Sequence, residues 1–372
     1  MDPPFYRADE LHWTIEPARY ANEYHAHTSA ILPVFAQELH FIAAGTQMGG
    51  RFEVSRTGAR GSDEVVVDIQ ADYRREQAIQ EVKVHHLHSE DNKHGVKISR
   101  RTGHEHDPSG IYQTIQFHIH VRLPASAPNG VPILRMNVLK TSLPLFSHHL
   151  HRFGDSVQFD RVALRTTNCP IEAEFLVARA VSLSTSNGQV RGTFKTCELL
   201  QIDTSNAPVK VDAVLTGGDE SVVPQMAIQT SNGPIQANIG LASGASPTDT
   251  DGSFDVVAHT SNSPLTVAFV EQPANSRLVA SLQTANGPAS VKMHPAFEGQ
   301  FELRSSFFMP PTMTEGRVQD PAGAGRARTV TKHGVGSGAI TGSVSWGVGA
   351  GRVQRVGRVE VQTSNAPLQF SL

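Results

Sequence analysis

The sequence predicts an all-β chain wound as a single-chain β-solenoid, a parallel β-helix with irregular loop insertions and an N-terminal cap. Three observations predict it: a short phrase that recurs seven times, inside–outside alternation within that phrase, and a composition suited to strands and corners. The 372 residues carry only 18% charged side chains but 31 Gly and 22 Pro, a mix that favours short strands and turns over long charged helices.

The phrase reads LRTTNCPI at 164–171, LSTSNGQV at 183–190, IDTSNAPV at 202–209 and IQTSNGPI at 228–235. It continues as AHTSNSPL at 258–265, LQTANGPA at 282–289 and, after a long gap, VQTSNAPL at 361–368, with a degenerate copy LKTSLPLF at 139–146. The shared Asn recurs after 19 residues from Asn168 to Asn187, 19 to Asn206, 26 to Asn232, 30 to Asn262 and 24 to Asn286. A fixed minimum with variable excess is the signature of one coil per repeat with insertions extruded as loops. The excess, TGGDESVVPQ after Leu215 and ASGASPTDTDG after Leu241, has loop chemistry.

Parity then assigns the faces, since alternate strand residues point opposite ways. Leu164, Leu183, Ile202, Ile228, Ala258, Leu282 and Val361 form the core row, and the residue after each is polar and faces solvent. Thr166, Thr185, Thr204, Thr230, Thr260, Thr284 and Thr363 fall on the inward side, with Asn168, Asn187, Asn206, Asn232, Asn262, Asn286 and Asn365 close behind. Stacked at about 4.8 Å, these Thr and Asn side chains are expected to bond to their own copies in neighbouring coils as buried ladders. The Ser-Asn-Gly or Ser-Asn-Ala that follows reads as a corner, with left-handed backbone expected at Asn or Gly. After it, Ile171, Val190, Val209, Ile235, Leu265, Ala289 and Leu368 resume the apolar row. Such a unit cannot bury its own apolar face, so it must stack on its neighbours.

Four segments follow from this rhythm: an N-terminal arm or cap at 1–44, the solenoid at 45–300, an altered coil with a Gly/Arg-rich insertion at 301–359, and a final solenoid coil at 360–372. The alternating runs upstream of the clear copies, among them FEVSRTG, EVVVDIQAD and IYQTIQFHIHVRLP, read as decayed repeats continuing the same column.

The serial TSNGPI-type coils, the GSVSWG strand and the closing VEVQTSNAPLQFSL resemble uncharacterised fungal proteins related to the bacterial putative-adhesin β-solenoid family. The likeness covers most of residues 45–372. It implies a right-handed solenoid and an adhesin-like role, and brings no catalytic residue set.

Charge and motifs narrow the function further. With a net charge of -3, the chain lacks the field that gathers a protein on nucleic acid, so no nucleic-acid partner is expected. No basic head precedes an apolar core at the N-terminus, and no run of about 18 apolar residues occurs. This predicts no membrane insertion and a cytoplasmic or otherwise intracellular location, with the cell surface as the alternative. Cys169 and Cys197 have no metal spacing and read as free thiols. Nucleophile elbows and phosphate loops are missing; Gly347, Gly349 and Gly351 sit in a turn-rich segment. Asp249, Asp251 and Asp255 lack the remaining spacing of a calcium loop. Arg326, Arg328, Lys332, Arg352, Arg355 and Arg358 make the C-terminal insertion locally basic.

Histidine is the oddity: 15 of 18 lie within the first 151 residues, in five HxH pairs at His25/His27, His86/His88, His104/His106, His118/His120 and His149/His151. In QFHIHVR, Phe117, Ile119 and Val121 point inward while His118 and His120 point out together. With His85 from an adjacent coil they could make a three-imidazole zinc site; otherwise the face is solvated and changes charge on acidification. Carbohydrate-cleaving β-helices need carboxylates converging from successive coils. Here the outward row before each Thr is Arg165, Ser184, Asp203, Gln229, His259, Gln283 and Gln362, with a single acid. The sequence therefore reads as a non-enzymatic binding or scaffold protein, without catalytic residues or cofactor, presenting an extended surface to a glycan or protein partner. A carbohydrate-active β-helix enzyme and a His-based metal-binding protein are the alternatives.

Overall fold

The computed structural model describes residues 6–20, 23–100, 115–217, 222–244, 252–334, 338–347 and 356–372. The features noted at His104, His106, Asp249, Asp251, Gly349, Gly351, Arg352 and Arg355 lie outside the described residues, as do 218–221 and 245–251 of the two insertion loops. The fold is an all-β solenoid built mainly of parallel pairings. It forms two compact units, one of 1–178 with 183–188 and one of 179–182 with 189–372.

The first unit holds β1 (Arg7–Leu11), β2 (Thr14–Tyr20), β3 (Glu23–Pro33), β4 (Glu38–Ala44), β5 (Met48–Arg60), β6 (Glu64–Tyr73) and β7 (Val82–His88). It continues with β8 (Lys93–Arg100), β9 (Ile115–Ser126), β10 (Leu134–Ser142), β11 (Phe146–Leu150), β12 (Val157–Arg165) and most of β13 (Ile171–Ser184). Two walls result. One runs β1-β7-β8-β4-β10-β12 and the other β2-β3-β6-β9-β5-β11-β13. In each wall the last four strands are parallel coils; the strands before them are antiparallel extensions.

Spatial order therefore departs from the simple column expected upstream. The β4/β5 coil lies between β8/β9 and β10/β11, because the chain leaves β5 through the antiparallel β6 and β7 and returns on the outer side. The described residues of 1–44, read as an arm or cap, form four strands, of which β4 is a solenoid strand. An antiparallel layer satisfies the open edge of a parallel stack, which otherwise presents unpaired backbone groups.

The second unit holds β14 (Val190–Thr196), β15 (Leu199–Asp203), β16 (Val209–Thr216), β17 (Gln225–Gln229), β18 (Ile235–Ala242), β19 (Ser253–Thr260), β20 (Leu265–Glu271) and β21 (Arg277–Thr284). Then come β22 (Ala289–Lys292), β23 (Gly299–Arg304), β24 (Thr312–Thr314), β25 (Arg328–His333), β26 (Ala339–Trp346), β27 (Gly357–Gln362) and β28 (Leu368–Ser371). Here register follows the repeat: Ile202, Ile228, Ala258, Leu282 and Val361 pair in succession, as do Val190, Val209, Ile235, Leu265, Ala289 and Leu368. The closing repeat inserts between β21/β22 and the altered coil β23/β24. The long gap is thus a detour: β23/β24 is laid down first as the outer coil, the antiparallel β26 and β25 pair beyond it, and the chain then returns.

The corners place Thr and Asn differently. Every phrase Thr is buried, Thr260 at 0% exposure, but the hydroxyls of Thr166, Thr185, Thr230, Thr260, Thr284 and Thr363 turn to backbone carbonyls. They donate to carbonyls of the preceding corner, Thr260 to Gly233 O at 3.1 Å, Thr284 to Ser263 O at 3.1 Å and Thr363 to Gly287 O at 3.2 Å. Thr185, Thr230 and Thr284 also accept their own corner's Gly N–H. The Asn row is a ladder as expected, with Nδ2 donating to the preceding Oδ1 at 2.6–2.7 Å from Asn187 to Asn168, Asn232 to Asn206, Asn262 to Asn232, Asn286 to Asn262 and Asn365 to Asn286. It is exposed, however, not buried: the chain bends outward at the corner, so only the lateral amide contact remains.

The corner glycines also correct the expected left-handed geometry, since none of Gly188, Gly233 and Gly287 has positive φ. They are needed for close approach. A Cβ would stand 1.8 Å from Cys169 O at Gly188, 1.8 Å from Ala207 O at Gly233 and 2.0 Å from Ser263 O at Gly287.

The degenerate copy pairs two residues out of its sequence alignment. Lys140 opposes Ala163, and Thr167 N–H bonds Pro144 O as Ser186 N–H bonds Thr167 O in the next corner. Leu143, fully buried, therefore takes the inward Thr place, and His148 takes that of Ile171. Thr141 donates to His148 Nε2 at 2.8 Å and accepts Arg165 N–H, while His148 Nδ1 donates to Phe146 O at 3.1 Å. This network satisfies a buried imidazole in its neutral form, and burial holds its pKa down to about 4.

Candidate functional site

The outer face of the wall β2-β3-β6-β9-β5-β11-β13 gathers His25, His27, His118, His120, His149 and His151 with carboxylates. On each strand the apolar alternates go inward: Phe52 and Val54 on β5, Phe117, Ile119 and Val121 on β9, Val67 and Ile69 on β6 are all buried. Their neighbours are left outward. Register then places Glu53 opposite both His120 and His149, Asp68 opposite His120, Asp72 opposite His25, and Glu172 opposite His149.

Acid and imidazole pair across the steps of this face except β6 to β9, where Arg122 Nε meets Asp68 Oδ2 at 2.7 Å. His25 Nδ1 lies 2.7 Å from Asp72 Oδ1, and His27 Nδ1 3.4 Å from Glu16 Oε1. His118 Nε2 is 3.0 Å from Glu53 Oε2, whose other oxygen meets His151 Nε2 in a short contact. His120 Nε2 lies 2.7 Å from Ser55 Oγ, and its ring stacks on His118 at 5.8 Å. Burial alone would raise the Glu53 pKa, but hydrogen bonds from His151 and His118 and the charge of Arg51 outweigh it and hold the group down to about 2. His120 is pushed down, chiefly by burial.

At the β11–β13 edge the groups converge most. Atoms of His149, His151 and Glu174 that could ligate a cation lie within 4.8 Å of one another. His149 Nε2 is 3.3 Å and His151 Nδ1 3.8 Å from Glu174 Oε1, with the two rings edge-to-face at 4.5 Å.

The set expected from sequence divides otherwise. His118 and His120 are together on β9, but His85 lies on β7 in the other wall, opposite Glu10 and Lys97. Parity read along one strand gave the shared face of His118 and His120, whereas the strands that adjoin β9 are β6 and β5, the latter bringing Glu53 from 65 residues away to His118. The HxH signal at His149/His151 was visible in the sequence; its partner Glu174 was not, because repeat numbering does not say which carboxylate lies beside which imidazole.

The C-terminal basic stretch is largely neutralised where described. Arg326 pairs with Asp320 at 2.8 Å and Glu298 at 3.4 Å, Lys332 with Glu315 at 2.6 Å, and Arg358 with Glu302 at 3.7 Å. Arg326 and Arg328 both lie over the buried Trp346 ring. Cys169 and Cys197 are not joined in a disulfide. No helix among the described residues is long and apolar enough to cross a membrane.

No protein-family model matches the chain, and no curated protein does. Among solved structures it is similar to a putative cell adhesion protein from Clostridium sporogenes, at 8% identity over 93% of this chain and 99% of that chain, with a TM-score of 0.19. It is similar also to a putative adhesin from Bacteroides fragilis, at 9% identity over 92% and 96% with a TM-score of 0.30. A putative adhesin from Parabacteroides merdae gives 9% identity over 72% and 96%, with a TM-score of 0.23. At these scores the fold rests on the strand pairing itself.

Proposed function

We propose that the protein is a non-enzymatic, adhesin-like binding scaffold that presents the β2-to-β13 face to a glycan or protein partner. The observation that carries this reading is the row of imidazole–carboxylate pairs on seven adjoining strands, bridged between β6 and β9 by the Arg122–Asp68 pair. The core does not require these groups, and together they offer donors and acceptors at inter-strand spacing, as polyhydroxylated ligands need. Glu53, held below its ordinary pKa, is not poised to donate a proton as a general acid.

The test is binding of the full chain to an immobilised glycan panel in the presence of EDTA, alongside a His118→Ala/Asp72→Asn variant. Retention of one glycan class by the native chain and at least tenfold weaker retention by the variant is the expected result. Equal retention by both proteins, or release of reducing ends from the panel, would overturn the reading.

A further inference from the structure

We infer that His149, His151 and Glu174 form a zinc site, with a fourth coordination position open to water. Zinc takes imidazole nitrogen at about 2.0–2.1 Å and carboxylate oxygen at about 2.0–2.2 Å in tetrahedral array, which sets neighbouring ligand atoms roughly 3.3–3.5 Å apart. The 3.3 Å between His149 Nε2 and Glu174 Oε1 already meets this spacing, and the 3.8 Å from His151 Nδ1 closes to it by a small ring rotation.

The outer contacts single this trio out from an ordinary ion-paired surface. A metal-bound histidine nearly always turns its other ring nitrogen to a carboxylate or carbonyl, which fixes tautomer and orientation. Both rings do so here. His151 Nε2 contacts Glu53 Oε1, and His149 Nδ1 lies 3.5 Å from Glu172 Oε2. Glu174 is oriented in the same way, its Oε2 accepting the Arg152 N–H at 3.1 Å and leaving Oε1 toward the imidazoles. Six groups thus build a two-histidine, one-carboxylate donor set with its second layer in place. The Glu174 side chain is 42% exposed, so an ion and a water can enter. Two nitrogens and one oxygen suit zinc better than calcium or magnesium, which seek oxygen alone.

The inference stands apart from the glycan reading, whose test is run in chelator. The full chain, stripped with EDTA, is dialysed against zinc chloride at pH 7.5 and its zinc content measured. Native protein and a His259→Ala control are expected to hold one zinc more per chain than His149→Ala. Glu174→Gln, which keeps side-chain size and the Arg152 acceptor, is expected to bind that zinc at least tenfold more weakly, and Glu53→Gln about tenfold. Cobalt substituted for zinc should give four-coordinate visible bands that vanish in Glu174→Gln. Equal zinc content in the native chain and both site variants, or unchanged cobalt bands in Glu174→Gln, would overturn the site.

Discussion

Thr260 and Asn262, two residues apart in one corner, show how position decides the energy of similar side chains. The Thr260 hydroxyl is wholly buried and donates to Gly233 O, so Thr260→Val leaves a buried carbonyl short of its partner at a cost of about 1–3 kcal/mol. The Asn262 amide bonds to Asn232 in solvent, where water replaces a lost partner, and Asn262→Ala should cost under about 1 kcal/mol. Denaturant midpoints of the two variants check the order; an Asn262→Ala loss equal to that of Thr260→Val would contradict it. Inward parity of Thr was legible from alternation alone. Exposure of Asn was not, because period-two counting ends where the strand does and the corner follows its own path.

At the scale of elements, the hairpin of β25 and β26 covers the outer coil β23. Trp346 anchors it, buried at 4% exposure, with its Nε1–H donating to Pro295 O at 3.1 Å and its backbone N–H to Glu298 Oε2 at 3.2 Å. Trp346→Ala should destabilise the protein by about 3–5 kcal/mol, the usual loss for a buried indole, and should free the β23 edge for intermolecular pairing. Thermal melting with light scattering reads both; native stability without self-association would refute the anchoring role. The sequence marked β26 as a strand candidate and the stretch around it as an insertion. It could not show that the closing repeat returns inside the outer coil, since that order depends on the pairing of Val361 with Leu282 across 79 residues of spacing at the adjacent ladder.

For the molecule as a whole, two buried imidazoles of the first unit tie stability to pH. Burial first, and Lys140 next, push His40 down to about 4, and burial does the same to His148. Both are neutral in the fold, whereas in the unfolded chain they take up protons near pH 6.5. Their contribution is therefore complete above pH 6.5, falls as pH drops from 6.5 toward 4, and levels below 4. For the fully buried His148 the loss is about 3 kcal/mol. Urea unfolding between pH 7.5 and 4 should show this decline, with His40→Leu flattening part of it. A flat native profile would mean that these rings are protonated in the fold or exposed to water.

The sequence by itself determined the solenoid, the inward rows of Leu, Ile, Val and Thr, and the solvent-facing His118 and His120, because alternation and repetition are local properties of a stacked strand. Only the tertiary structure decided that β4/β5 lies between later coils, that Leu143 replaces a core Thr, and that Glu53 and Glu174 meet His118, His149 and His151. Those outcomes depend on which strand edges pair over long sequence separations. Backbone hydrogen bonds that fix such pairing are the same for every residue type and leave little mark in the amino-acid pattern.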